Sequence, residues 1–137
     1  MKRLAALAVA ALTLTPTVAD AHQPSGKYAT PGTARQHPGC QRIWRAFRNV
    51  GASHSTADWF AYRIAPRESG CVPQYVRDRD DWSYSTVGLN GITPALRAGW
   101  RRWCGHDVRT WAGYETDARC ALAAYRRLGT RPWQATR

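Results

Sequence analysis

Long apolar runs are scarce in this sequence. The longest, from Leu4 to Leu14, holds about eleven residues, whereas a helix that crosses a bilayer needs roughly 20. No later segment comes close to that length, and the sequence contains no internal repeat. We therefore expect a chain without a membrane span.

Acidic residues are few. Nine Asp and Glu stand against 20 Lys and Arg, which gives a formal net charge of +11. Such a surplus does not stabilise a fold, but it raises the rate of encounter with polyanions and holds the protein near them. Nucleic acid, acidic lipid and acidic cell wall all fit this charge.

The N-terminus has the layout of a secretory signal peptide. Lys2 and Arg3 precede the apolar run, Pro16 breaks it, and Ala19 and Ala21 supply the small residues that a signal peptidase reads. Removing residues 1–21 from the 137 leaves 116, enough for one domain. The alternative is an uncleaved amphipathic tail. We expect secretion, either to the periplasm or cell wall or to the outside, which makes nucleic acid the least expected partner.

Residues 22–38 are rich in proline and glycine and poor in bulky aliphatic side chains. This composition is typical of a flexible leader. We expect the folded domain to begin near Gly39 and to cover 39–137. Nothing in the sequence points to an assembly, so we expect a monomer.

The cysteines are widely spaced and form neither a CxxC motif nor another zinc-binding pattern: Cys40, Cys71, Cys104 and Cys120. An even number of cysteines in a short exported chain favours two disulfides, with three possible pairings. The competing interpretation is a metal site completed by histidines. We expect no metal ion and no cofactor.

Apolar residues at helical spacing predict a pair of helices at the start of the domain. The first covers about 41–50 and stops at Gly51. The second covers 56–67, begins behind Ser55 as capping residue, and is bent in its last turn by Pro66. The short turn between them predicts an antiparallel pair.

The rest of the domain predicts a small β element and two more helices. Residues 72–92 contain β-formers interrupted by charges and read as an irregular hairpin or extended loop. A third helix starts at Thr93-Pro94, and Asp117 caps a fourth that ends at Gly129. The expected fold is mainly α (α+β), with four or more helices and two disulfides.

This order of helices also predicts the disulfide pairing. Antiparallel packing of the first two helices brings Cys40 beside Cys71. Cys104 ends the third helix and Cys120 begins the fourth, so these two should pair. Each bridge should stabilise the domain by roughly 3–4 kcal/mol.

Only two glutamates follow residue 21, Glu68 and Glu115. Glu68 lies at the edge of an apolar stripe in the last turn of its helix, where the helix dipole and apolar neighbours are both expected to raise its pKa. Pairing with Arg67 would lower that pKa. Glycoside cleavage requires a carboxylic acid that stays protonated near neutral pH. The alternative is a solvated glutamate paired with Arg67 or Arg63.

Three segments follow one another in a recognisable order: Arg67-Glu68-Ser69-Gly70-Cys71, then Ser85-Thr86-Val87-Gly88-Leu89-Asn90, then a helical tail that reaches Pro132-Trp133. Together they resemble the lysozyme-like superfamily of soluble lytic transglycosylases and bacterial and phage lysozymes. In that family a helix ends in Glu-Ser-Gly, a Ser-x-Gly-Leu-x-Gln segment lines the cleft, and a closing helix precedes Pro-Trp. The resemblance covers about residues 56–133.

The resemblance implies a lysozyme-like fold in which the hairpin forms one wall of a cleft and Glu68 is the catalytic acid. Substrate contacts are expected at Ser85, Gly88, Leu89, Asn90 and Tyr125. The sequence departs from the family at two points. Asn90 and Gly91 stand where the family has its glutamine, and Ser85 lies three residues before Gly88 rather than two.

The presumed cleft wall also carries carboxylates and aromatic rings. Asp80 and Asp81 are candidate general bases that could hold water in an inverting hydrolase; the alternative is a solvated, charged turn. Lytic transglycosylases, as the resemblance implies, need only the single acid, because the sugar's own 6-hydroxyl attacks. Trp82 is a candidate platform for a sugar ring.

The sequence therefore predicts a secreted glycosidase acting on the β-1,4 MurNAc–GlcNAc link of peptidoglycan, with glycan strands as its partner and basic residues holding it on anionic wall. The alternative belongs to another class: a cationic wall- or polyanion-binding module that keeps the fold without the activity. The absence of the family's glutamine favours this alternative.

Overall fold

The fold is that of a computed structural model, which describes residues 28–78, 81–89 and 94–136. Within these ranges four helices and one antiparallel β-hairpin precede a short 3-10 helix. The elements are α1 (Pro38–Asn49), α2 (54–68), β1 (Gln74–Asp78), β2 (Asp81–Ser85), α3 (Pro94–Cys104), α4 (Tyr114–Leu128) and the 3-10 helix (Arg131–Thr136). The predicted class, mainly α with a small hairpin, is confirmed.

α1 begins three residues earlier than predicted. Its capping residues precede the apolar positions from which the helix was predicted. His37 Nδ1 accepts a hydrogen bond from the Gly39 N–H at 3.1 Å, and Pro38 occupies the first helical position. The helix buries Ile43 and Phe47 against the rest of the domain. It stops before Gly51, whose φ of +87° is the predicted left-handed end.

α2 has three consecutive segments: α-helical His54–Trp59, π-helical Phe60–Ile64 and α-helical Ala65–Glu68. Its cap is Ser53, whose Oγ accepts from the Thr56 N–H at 3.1 Å, rather than the predicted Ser55. Ser55 lies inside the first turn of α2, whereas Ser53 precedes the helix and, three residues before Thr56, has the reach of a cap.

The irregularity predicted at Pro66 takes the form of a π-helical segment just before it. The Ala65 N–H donates to the carbonyl of Phe60, five residues back. Proline has no N–H, and its ring clashes with the carbonyl four residues earlier, here that of Tyr62. A wider turn before the proline relieves that clash, so we attribute the π-helical segment to Pro66.

The hairpin is shorter than the region predicted for it. β1 pairs with β2 antiparallel, with Tyr75 opposite Tyr84 and their rings 6.4 Å apart. The Tyr84 N–H also donates to the Val108 carbonyl at 2.8 Å, which ties the hairpin to the segment between α3 and α4. β2 leads directly into a loop, residues 86–89.

Both predicted disulfides are present. Cys40 is bonded to Cys71 with their Cα atoms 5.0 Å apart, and Cys104 to Cys120 at 4.9 Å. The pairing follows from the helix order, as predicted. α3 starts at Pro94 as expected.

The prediction for the start of α4 is wrong. This helix begins at Tyr114, three residues ahead of the expected cap, and Gly113 precedes it with a φ of +97°. Asp117 therefore lies inside the helix, where it is buried. Its side chain faces the loop 86–89 region instead of capping its own helix.

The packed part of the chain begins before the boundary expected at residue 39. Ala29 and Ala34 are buried, and the Ala29 N–H donates to the Gly70 carbonyl at 2.8 Å. The ring of Tyr28 lies over Gly70. The signal peptide and the first residues of the predicted leader, 1–27, lie outside the described residues.

Aromatic rings join the helices at the centre of the domain. Phe47 stacks on Phe60 with centroids 4.3 Å apart, and the buried Trp133 meets Phe60 edge-on at 4.9 Å. Trp59 and Tyr125 complete this aromatic cluster, with centroids 5.6 Å apart. No helix in the described ranges is both long and apolar enough to span a membrane.

Candidate functional site

Glu68 is the last residue of α2 and is half-buried. It lies in an open groove, here called the acid groove, whose lining includes Tyr28, Pro66, Arg67 and Gln74. The side chain is therefore neither sealed in the core nor extended into bulk solvent. A carboxylic acid that must meet a polymeric substrate needs such a position.

Gly88 lies directly against the Glu68 carboxyl group. A β-carbon at position 88 would overlap Glu68 Oε2 and lie 2.6 Å from Cδ. Gly88 also has a φ of +66°, a conformation that residues with a β-carbon rarely adopt. Both the close approach and the backbone conformation require glycine at this position.

The two residues after Glu68, Ser69 and Gly70, each have a structural role at the end of α2. Ser69 Oγ lies 2.6 Å from the Thr86 carbonyl and 3.1 Å from the Ala65 carbonyl, so it links the end of α2 to loop 86–89. Gly70 has a φ of +64°, and a β-carbon there would collide with the side chain of Tyr28. The Glu-Ser-Gly segment thus combines a candidate acid, a cross-link and a tight turn.

Asp117 holds the other side of the loop. Its carboxylate accepts hydrogen bonds from Ser85 Oγ at 2.7 Å, from the Thr86 N–H at 2.9 Å and from Thr86 Oγ1 at 2.5 Å. Burial raises the pKa of this carboxyl group, and the hydrogen bonds from Thr86 and Ser85 oppose that shift. This anchor was not predicted from the sequence; the signal was an acid three and four residues before the buried Cys120 and Ala121.

Trp133 supplies a third attachment. Its Nε1 donates to the Val87 carbonyl at 2.8 Å, within the core. Ser69, Asp117 and Trp133 therefore fix three successive parts of the segment that ends at Gly88. The loop is held from α2, from α4 and from the 3-10 helix, which sets its distance from Glu68.

The predicted substrate contacts divide into three groups. Ser85 and Leu89 are buried, so their side chains support the loop and do not line the acid groove. Gly88 contacts Glu68, and Tyr125 is half-buried in the aromatic cluster. Asn90 lies outside the described residues.

The candidate general bases and the candidate sugar platform lie on or beside the hairpin. Asp81 is the first residue of β2, opposite Asp78, and Trp82 pairs with Arg77. For Asp81 and Trp82 the structure describes the backbone alone. Asp80 falls outside the described residues.

The described residues hold no cluster of three or more His, Cys, Asp and Glu side chains that could bind a metal ion. No protein-family model matches the chain, and neither does any curated protein or solved structure. Its function must be inferred from the site itself: one carboxyl group in a groove, a glycine loop against it, and arginine and aromatic side chains beside it.

Proposed function

We propose that this chain is a secreted glycosidase that cleaves the β-1,4 bond between MurNAc and GlcNAc in peptidoglycan, as a lytic transglycosylase or a muramidase. The observation that carries the proposal is the position of Glu68, in an open groove at a helix end and against Gly88. The order of segments that resembles the lysozyme-like superfamily supports the same function.

In the proposed reaction Glu68 protonates the glycosidic oxygen while the bond from that oxygen to C1 breaks. The departing sugar leaves with a new hydroxyl group. Either water or the 6-hydroxyl of the cleaved sugar then attacks C1, and its proton returns to the Glu68 carboxylate. Both routes balance with this single carboxyl group, while Asp80 and Asp81 remain candidate bases for the hydrolytic route.

A rigid glycine loop suits this chemistry. Because Gly88 has no side chain, the loop can approach the carboxyl group closely and leave the outer side of the groove open to a glycan strand. The three attachments of the loop keep the carboxyl group in one place. A general acid must be within hydrogen-bond reach of the oxygen that it protonates, so fixed geometry is worth more than flexibility here.

Charge and covalent structure fit an exported protein that works on anionic wall. α1 and α4 carry exposed arginines that contribute to the positive charge of the domain: Arg42, Arg45, Arg48, Arg119, Arg126 and Arg127. Two disulfides are typical of small proteins in oxidising compartments.

The test is clearance of purified cell-wall suspensions by the wild-type protein and by Glu68→Gln, which keeps the size of the side chain but cannot donate an acid proton. Wild type should reduce turbidity, and Glu68→Gln should be slower by at least about 100-fold. Glu115→Gln is the matched control, because Glu115 is exposed, does not line the acid groove, and accepts a hydrogen bond from Asn49 at 2.8 Å. Equal clearance by wild type and Glu68→Gln would refute the proposal. Mass spectrometry of the fragments distinguishes the anhydro product from the hydrolysed one.

The second candidate is a cationic wall-binding module without activity. The observation that favours it is the number of exposed arginines on α1 and α4, which serve binding without any catalytic group. In this case wild type and Glu68→Gln would sediment equally with walls, and neither would release soluble fragments. Binding alone therefore does not separate the two candidates, but fragment release does.

A further inference from the structure

A second groove on α2 lies beside the acid groove. It is lined by Pro31, Trp59, Tyr62, Arg63, Ile64 and Arg67, and is called here the arginine groove. Three of these residues belong to the π-helical segment, whose wider turn sets where their side chains leave the helix. The reaction proposed above does not use this groove.

The two grooves share Arg67, and Glu68 is the next residue in the chain. A molecule lying in the acid groove therefore needs to extend past only one side chain to enter the arginine groove. Arg63 precedes Arg67 by one helical turn, which places a second guanidinium further along the same side of α2. The arrangement suits a substrate whose side branch starts near the scissile bond and extends away from it along α2.

Arg63 differs from the neighbouring Arg35 in having no carboxylate partner among the described residues. Arg35 lies over the Tyr62 ring at 4.7 Å, but its Nη2 is paired with Asp58 at 3.2 Å. Arg63 is exposed. An anion entering the groove would therefore meet an available guanidinium.

The groove combines that charge with flat and apolar surface. Trp59 is half-buried and anchored from behind by the ring of Trp133 at 5.7 Å, so one side of it is held rigid. Tyr62 is also half-buried, and Ile64 is buried at the base of the groove. A guanidinium matches a planar carboxylate with two parallel hydrogen bonds, and aromatic rings pack against apolar groups. A polyphosphate chain would interact with the arginine charge but would leave the aromatic and apolar surface of the groove without a partner.

We propose that the arginine groove binds the carboxylate-bearing stem peptide of the glycan strand, with Arg63 as its carboxylate contact. This rests on the proposed function, because the peptide is attached to the sugar that the acid groove would hold. It deepens that function by naming the substrate class: strands that carry peptides, in preference to bare glycan.

The test compares initial rates on two substrates, intact peptide-bearing strands and the same strands after enzymatic removal of the peptides. Wild type should prefer the intact strands, and Arg63→Gln should reduce that preference roughly five- to tenfold, the size expected for one lost charge-assisted hydrogen bond. Arg102→Gln is the matched control, since Arg102 is an exposed arginine on α3 that lines neither groove. Its ratio of rates should equal that of wild type.

Equal rates of wild type on both substrates would overturn this inference and leave the proposed function standing, whereas no cleavage of either substrate would remove the proposed function. A binding measurement gives an answer independent of activity. Muramyl dipeptide, titrated against Glu68→Gln and followed by tryptophan fluorescence, should bind, and adding Arg63→Gln to that variant should weaken binding. If poly(glycerol phosphate) binds through Arg63 and muramyl dipeptide does not, the groove recognises phosphate and the inference is wrong.

Discussion

The carboxyl group of Glu68 lies against the backbone of Gly88, so close that a β-carbon on residue 88 would sit 2.6 Å from Glu68 Cδ. Twenty residues separate the two in sequence, and the contact forms because Ser69 bonds to Thr86 and Trp133 bonds to Val87. The position of the candidate acid is therefore a property of a loop as well as of a helix. Substitutions in the loop should therefore alter activity even though residue 68 itself is unchanged.

Replacing Gly88 with alanine tests this relationship directly. The new methyl group would displace the Glu68 carboxyl group, so we expect Gly88→Ala to lower the rate of wall cleavage by roughly 100-fold. Its left-handed φ of +66° should also cost about 1 kcal/mol of stability. Turbidity assays and thermal unfolding measure the two effects separately.

Gly105→Ala separates displacement from backbone strain. Gly105 has nearly the same φ, +69°, but a β-carbon there has no atom within 4 Å. We expect a similar loss of stability with wild-type activity. If both variants lose activity equally, strain and not the contact with Glu68 is responsible.

Local features of this fold were predictable because they depend on neighbours in sequence. Gly51 ends α1, Pro94 starts α3, and the disulfides follow from which helix ends meet. The role of Asp117 was not predictable in this way, because its partners Ser85 and Thr86 lie more than 30 residues away. An aspartate can serve either as a helix cap or as a buried hydrogen-bond acceptor, and only the tertiary structure shows which role Asp117 has.

The candidate site shows the same division. The resemblance pointed to Glu68 and Gly88, and the structure brings these two together. It also pointed to Ser85 and Leu89, which are buried. The arginine groove could not be predicted from the sequence, since its outline depends on the π-helical turn before Pro66 and on Pro31, which is distant from that turn in sequence.

The disulfide Cys40–Cys71 should contribute more stability than Cys104–Cys120. The first closes 31 residues of chain and the second 16. The chain-entropy estimate predicts losses of about 4 and about 3 kcal/mol when each pair is changed to serine. Urea unfolding of the two double variants measures both. The reverse order would show that the enthalpy of the folded state outweighs loop closure.

Asp107 should make the domain sensitive to acid. Its carboxylate accepts hydrogen bonds from Arg109 and from Arg101 Nη2, the latter at 2.7 Å. The hydrogen bond from Arg109 is the main cause that holds the pKa of Asp107 well below its usual 3.8. A lowered pKa stabilises the fold above the unfolded value, and that contribution is lost as the pH falls below about 4.

Asp107→Asn should therefore be less stable than wild type near neutral pH, and the difference should shrink in acid. Unfolding free energies between pH 2 and 7 measure it. High salt should reduce the difference at neutral pH, because these arginines are partly exposed. A difference that stays constant with pH would show that the ion pairs contribute nothing to stability.

Asp117 gives the sharpest test of how the loop is held, because two substitutions remove its hydrogen bonds in steps. Asp117→Ala leaves Ser85 Oγ, the Thr86 N–H and Thr86 Oγ1 without their acceptor in a buried place, which should cost about 2–4 kcal/mol. Asp117→Asn can keep its oxygen on Thr86 and point its amide at Ser85. Ser85 Oγ already accepts from the Val87 N–H, so its own proton would then lack an acceptor.

We therefore expect Asp117→Asn to lose about 1 kcal/mol, between wild type and Asp117→Ala. Wall cleavage should fall in the same order, measured at a temperature where every variant is folded, because the loop that carries Gly88 loosens by degrees. Asparagine and alanine variants with equal stability would show that the charge of Asp117 matters and its hydrogen-bonding geometry does not. Full activity in Asp117→Ala would mean that Ser69 and Trp133 alone suffice to keep Gly88 against Glu68.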